Sequence, residues 1–389
     1  MHHTSALLNI KYNMFGFCPV CCFSSKTTLI PTAPPPVRGG GEKNGGVSIL
    51  IVGAGRLGTW LAVKFAKNQN SDEGIDGEMP PNPSHPPKVF LKGSGRRKRV
   101  GGDKTRDIVA KLVEEHEIAQ IDSYLDERFQ KVMRENKGKE FRFDYVFVTV
   151  KTYAFDKVVE EMTRANIPTP RIAVMLHNGI VEPIFKGLGN GYVPCVIPQS
   201  YDFVDASDGK GERFTIKVKN EEKPWAMPNT DEAKRVHALL TSIGANSQPD
   251  EDFEYTLLRK YFINCVANLL SIVGDCNCDG LLDTKDLRTR MDVLYHEMYA
   301  ALQPSHKDGF KKMPKNFYDV VFSGLRTYGA HFPSTKLDFD AGALLEIDSL
   351  NGYVCVRGRE NGTPCLEHEK LIREVQQLVK QRDDKMIKK

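Results

Sequence analysis

Residues 47–58 read VSILIVGAGRLG, and this stretch decides the fold. Val47 to Val52 is a short, continuous apolar run rich in β-branched residues, the pattern of a strand buried on both faces. Gly53, Ala54, Gly55, Arg56, Leu57 and Gly58 follow at once, and Leu57, Trp60, Leu61 and Phe65 then mark one face of a helix. Strand, glycine turn and helix in this order give the G-x-G-x-x-G spacing its meaning as a dinucleotide site. Gly53 permits a tight turn, Gly55 lets the backbone approach a pyrophosphate, and Gly58 lets the helix pack close to the strand. The helix N-terminus then faces the negative charge. The six residues 53–58 are the candidate cofactor-binding turn. The bland alternative is a glycine turn that merely joins two elements.

The choice of dinucleotide depends on the tip of the second strand, where an acid would hold a ribose 2′-hydroxyl. The next strand-like run is Val89-Phe90-Leu91, and Lys92 follows it, with Arg96, Arg97, Lys98 and Arg99 close behind. Five cations within eight residues and no acid suit a 2′-phosphate, so the expected cofactor is NADP(H). A solvated basic loop or a nuclear localisation signal would look similar. Between the first helix and this strand, residues 68–87 hold five prolines and read as a disordered insertion. Two further buried strands are expected at Asp144–Val150 and Ile172–Leu176. They end in Lys151 and in His177-Asn178-Gly179. Ligands of a doubly wound sheet sit beyond the carboxyl ends of its strands, so Lys151 and Asn178 are candidate site residues.

Leu257 to Gly274, LLRKYFINCVANLLSIVG, reads as a helix with Lys260, Asn264 and Asn268 at i, i+4 and i+8 on nearly one face. The rest of its surface is apolar, so the helix belongs in an interior, where a lysine and two amides need partners or a task. Holding a small polar molecule is one task. Satisfying neighbouring backbone is the bland alternative. An amphipathic helix is expected at Glu232–Ile243, and helices succeed one another from Asp252 onward.

A chain of 389 residues suggests about two domains, and 40 % hydrophobic with 27 % charged residues is an ordinary globular balance. A net charge of +4 does not argue for nucleic acid or a membrane surface, and no apolar run approaches the ~20 residues of a bilayer span. Nine scattered cysteines suit free thiols in a reducing compartment. Residues 1–45 form a separate segment, with no Asp or Glu before Glu42, a Pro34-Pro35-Pro36 run and a Gly39-Gly40-Gly41 run. This segment reads as a disordered leader or an organelle transit peptide, which leaves the location cytoplasmic or organellar. Its Cys18, Cys21 and Cys22 lack a second pair at finger spacing.

Taken in order, GAGRLG (53–58), VKTYAFD (150–156), HNGI (177–180), KYFINCVAN (260–268) and the segment PSTKLDFDAGALLEIDSLNGYVCVRGRENGTP (333–364) resemble the ketopantoate reductase family. The resemblance spans roughly residues 47–380. The leader and the proline-rich insertion have no counterpart in it. It implies a fold of class α/β plus all-α: a Rossmann-type doubly wound N-terminal domain, residues 46–250, and a helical substrate-binding domain, residues 251–389. It also implies NADPH-dependent reduction of 2-dehydropantoate to pantoate, with the site in the interdomain cleft. Lys260 matches the family's general acid, and Glu346 the carboxylate that binds substrate and orients the site. Asn264 and Asn268 match the amides on the substrate's oxygens, Ser334 the hydroxyl on its carboxylate, and Lys151 and Asn178 positions beside the nicotinamide. The partner is then a small 2-oxo acid, with a homodimer left open. A reductase of another branched 2-oxo acid, or a sensor that binds NADP(H) without turnover, are the alternatives.

No metal is expected. Asp275 to Asp286 does fit a calcium-loop spacing, with Asp286 in place of the usual Glu. A polar turn of the family pattern accounts for the same residues.

Overall fold

The computed structural model describes residues 47–68, 88–93, 104–116, 118–121, 123–124, 129–131, 142–181, 191–206 and 214–387. The leader, the insertion after Asn68 and the Arg96–Arg99 run lie outside the described residues.

Six parallel strands form the first layer: β1 (Ser48–Val52), β2 (Lys88–Lys92), β3 (Ala119–Ile121), β4 (Tyr145–Val148), β5 (Ile172–Met175) and β6 (Tyr192–Pro194). Their order is β3-β2-β1-β4-β5-β6, the order of a doubly wound dinucleotide-binding sheet. The chain reverses direction across the sheet between β1 and β4, so their carboxyl ends border the crevice where such sheets take ligands. Every residue of β1 is buried, as its unbroken apolar run requires. At the opposite end, the Ser48 backbone N–H and Oγ both donate to Asp144 Oδ2 at 2.9 Å, pinning the entry of β1 beside that of β4.

Helix α1 (Arg56–Asn68) follows the glycine turn and buries Trp60, Leu61 and Phe65 on the sheet. Beyond β6 come an antiparallel hairpin, β7 (Ser200–Asp205) with β8 (Phe214–Lys219), and a parallel pair, β9 (Trp225–Pro228) with β10 (Ser247–Asp250). The helix between β9 and β10 runs Asp231–Ser242, one residue earlier at each end than expected. Thr230 caps it by accepting the Ala233 N–H.

From Phe253 on, the described chain is helical. The 21-residue helix Phe253–Val273 is the axis of this half, with Leu258, Phe262, Cys265, Val266, Leu269 and Leu270 fully buried. Lys285–Leu302, Phe317–Arg326 and Leu366–Ile387 enclose it. The calcium-loop spacing does not form a loop. Asn277 caps a short helix, Cys278–Asp283, by accepting the Gly280 N–H. Asp279 and Asp283 share Arg326, while Asp275 turns away to Lys336. Among the described residues no helix is long and apolar enough to cross a membrane, and no group of three or more metal-ligating side chains converges.

The glycines of the turn differ in what they do. A Cβ on Gly58 would lie 1.8 Å from the Gly53 carbonyl oxygen, whereas one on Gly55 meets nothing within 4 Å. Gly58→Ala is therefore expected to cost about 3 kcal/mol through overpacking, and Gly55→Ala less than about 1 kcal/mol. Urea unfolding of the two variants beside the wild type checks this, and equal midpoints would refute it.

Candidate active site

At the carboxyl end of β1, Gly53 has φ +120° and its Cβ position is filled by Thr149 Oγ1 at 2.5 Å. That hydroxyl donates to the Gly53 carbonyl at 2.8 Å, closing the turn against the end of β4. Ala54 and Leu57 pack at the edge of the sheet core, and Arg56 reaches Asp202 of β7 at 3.6 Å with its side chain mostly exposed. Gly55 has neither a positive φ nor a neighbour to avoid. Among the described residues nothing asks for glycine there. A ligand that lies against the backbone at the start of α1 does, so the turn fits a dinucleotide pyrophosphate.

Lys92 is not displayed as a phosphate ligand. Its side chain is 5 % exposed, donates to the Gly93 carbonyl at 2.8 Å and pairs with Glu161 at 3.4 Å. The ammonium also lies over the Tyr124 ring. A cation at a strand tip can face the core as readily as the ligand when a nearby carboxylate, here the half-buried Glu161, offers it a partner.

Across the crevice, Lys151 follows β4 and Glu346 arrives from the helical half. Glu346 Oε2 accepts from Lys151 Nζ at 3.1 Å, while Oε1 accepts from the Thr152 N–H at 3.1 Å and from Thr152 Oγ1 at 3.3 Å. Thr152 Oγ1 also meets Ser349 Oγ at 2.7 Å. Lys151 Nζ lies 3.1 Å from Asp338 as well. Burial alone would lower the Lys151 amine, but the two carboxylates beside it hold it above its ordinary range. Gly179 lets the Asn178 loop seat against this segment. Its φ is +85°, a Cβ would stand 2.4 Å from the Ser349 carbonyl, and that carbonyl accepts the Ile180 N–H.

Lys260 and Asn264 line a recess together with His177, Asn178, Cys195 and Tyr261. The Lys260 ammonium donates to the Ile197 carbonyl at 2.6 Å. Burial pulls its amine down to about 8, with Glu346 opposing that fall and Lys151 adding to it. Burial also lowers the His177 imidazole, whose Nδ1 meets the Asn178 carbonyl at 3.1 Å. Asn268 lies two turns further along the helix, 5 % exposed, and is not among the residues that line the recess. Ser334 is exposed at the start of the helix Ser334–Asp340, which presents Asp338 to Lys151 one turn later.

The geometry thus gathers Lys151, Asn178, Lys260, Asn264 and Glu346. Thr152, Ser349, Asp338 and His177 were not singled out in the sequence. All four lie inside the quoted motifs, one to four residues from the nearest candidate. Short hydroxyl side chains there carry no signal until a buried carboxylate needs donors.

A doubly wound sheet with an open glycine turn, facing a buried lysine and carboxylate from a helical half, defines a two-part dinucleotide-binding protein with a polar reaction cleft. Residues 252–379 match the family model described as ketopantoate reductase PanE/ApbA C terminal. The 2-dehydropantoate 2-reductase of Lactococcus lactis subsp. lactis (strain IL1403) is 26 % identical over 322 residues, covering 80 % of this chain and 91 % of that protein. The fold is shared with the PanE/ApbA family ketopantoate reductase from Ralstonia eutropha JMP134, at TM-score 0.61 and 16 % identity, over 87 % of this chain and 100 % of that one. D-mandelate dehydrogenase, solved with NADH and anilino(oxo)acetate, shares it at TM-score 0.60 and 17 % identity, over 86 % and 99 % of the two chains. Residues 252–379 are thus similar to the C-terminal part of the ketopantoate reductase family, and the chain shares the fold of its solved members.

Because Glu346 raises the Lys260 amine, removing that charge lowers its titration further. The pH dependence of Lys260 acylation, followed by mass spectrometry, is expected to have its midpoint near 8 in the wild type and at lower pH in Glu346→Gln. A midpoint that stays in place or rises would contradict the assignment.

Proposed function

We propose that the chain reduces the C2 ketone of 2-dehydropantoate to give pantoate, with NADPH as the reductant, a step toward pantothenate and coenzyme A. The observation that carries this reading is Lys260, a buried amine at the wall of a recess, brought near neutrality by its surroundings. NADPH, when bound at the 53–58 turn, supplies the hydride. Reduction leaves negative charge on the former carbonyl oxygen, and Lys260 hands it a proton as general acid. Asn264, on the same face one turn later, is placed to hydrogen-bond substrate oxygens. Asn268 and Ser334 are assigned to substrate with it, one deeper on the helix and one at the rim. Glu346, fixed by Thr152 and Lys151, sets the field in which Lys260 titrates. Residues 46–250 act as the cofactor domain and residues 251–389 as the substrate domain.

The preference for NADP(H) over NAD(H) rests on the cations after β2 and the lack of an acid at its tip. Lys92 spends its charge on Glu161, so Arg96, Arg97, Lys98 and Arg99 carry the 2′-phosphate. A second reading, reduction of another 2-oxo acid, is favoured by the fold shared with D-mandelate dehydrogenase and by the place of Asn268 off the recess.

Purified protein is expected to oxidise NADPH rapidly on addition of 2-dehydropantoate, and NADH poorly. Lys260→Ala should lose about 10²–10⁴ in kcat. The wild-type rate should fall above pH 8, where the acid loses its proton. Turnover that survives in Lys260→Ala would exclude it as the acid. Faster turnover with a 2-oxo acid lacking the substrate hydroxyl would favour the second reading.

A further inference from the structure

Asp338 has no part in the chemistry derived above, yet its carboxylate lies 3.1 Å from the Lys151 ammonium. Its side chain is 30 % exposed, against 3 % for Glu346 on the same ammonium. Glu346 does not need Asp338, since three donors from Lys151 and Thr152 already satisfy it. Nor is Asp338 part of the neighbouring pair on its own helix, where Asp340 and Asp275 share Lys336. What it does is place a second, partly exposed negative charge on Lys151.

The charges can be counted. Lys151 and Lys260 are cations, Glu346 and Asp338 are anions, and the four cancel when all are ionised. A 2-oxo acid brings one carboxylate. With Lys260 given to the keto oxygen, Lys151, whose charge acts on Lys260, is the ammonium that remains for that carboxylate. Lys151 is already shared by two acids. A second substrate carboxylate would meet Asp338 with no further charge from this cluster to offset it.

We propose that Asp338 is a specificity-determining residue, whose partly exposed carboxylate beside Lys151 admits 2-oxo acids with one carboxylate and rejects those with two. The proposal deepens the reading of the site as that of a 2-oxo acid reductase and rests on it for the placing of the substrate. It acts by repulsion, which costs the unwanted ligand more than the wanted one.

The test uses wild type, Asp338→Asn and Asp338→Glu, each saturated with NADP⁺ so that no reduction occurs. Calorimetric titration with 2-oxoisovalerate, which has one carboxylate, and with 2-oxoglutarate, which has two, gives the ratio of dissociation constants. The wild type should prefer the first by at least about tenfold, and Asp338→Asn should narrow that ratio by about tenfold. Asp338→Glu should keep it. With NADPH, the change should appear in KM rather than kcat. An unchanged ratio in Asp338→Asn, or an equal weakening of both acids, overturns the proposal and leaves the reductase reading standing. A shifted binding ratio without turnover of any 2-oxo acid sinks the reductase reading and leaves Asp338 its role. If neither acid binds any of the three proteins, both ideas fall.

Discussion

The ammonium of Lys151 joins stretches of chain 195 residues apart, and the arrangement of the cleft depends on that contact. Glu346 is 3 % exposed, so its charge is tolerable only while its lone pairs are met. Lys151 meets one oxygen and the Thr152 peptide and hydroxyl meet the other, all from the loop that follows β4. Removing the lysine would leave a buried carboxylate without its counter-charge, a loss of about 3–5 kcal/mol in comparable pairs. The pair therefore aligns the two halves as well as charging the site. A shift of the helical half would break a charge contact and two hydrogen bonds together.

Two glycines make this alignment sterically feasible. Gly53 closes the turn against Thr149, directly before the loop that carries Lys151. Gly179 lets the loop after β5 press its backbone on Ser349, three residues beyond Glu346. One packs the sheet half against itself, and the other packs it against the helical half. In both places a side chain would occupy space that a carbonyl or hydroxyl oxygen now fills.

The glycine turn, the parallel strands and the long interior helix were legible because each has a local cause. Unbroken apolar runs mark strands buried on both faces, and a polar stripe on an apolar helix marks a lined cleft. Lys260 and Asn264 could be found in that way. The direction of Lys92 could not, because it depends on Glu161, a half-buried carboxylate far along the chain. The ion pairs of the calcium-like spacing were not legible for a related reason: Asp279 and Asp283 meet Arg326 and Asp275 meets Lys336, cations that the local pattern does not contain. Thr152 and Ser349 show the same limit. A hydroxyl becomes informative only once the fold has placed a buried acceptor beside it.

Two lysines border one cleft, and their surroundings push them in opposite directions. Lys151 sits between two carboxylates and is held charged above its ordinary range. Lys260 is buried and donates to the Ile197 carbonyl, and its amine falls to about 8. Separated titrations of like groups are how a site divides roles between them. The group that stays charged can only attract, orient and be screened. The one brought near neutrality can give up a proton and take it back. Each lysine also acts on the other, since the fixed charge of Lys151 helps to depress Lys260 while Glu346 between them limits that depression. The Lys260 amine is thus tuned by the same ion pair that aligns the two halves, so any change in their alignment would reach its proton.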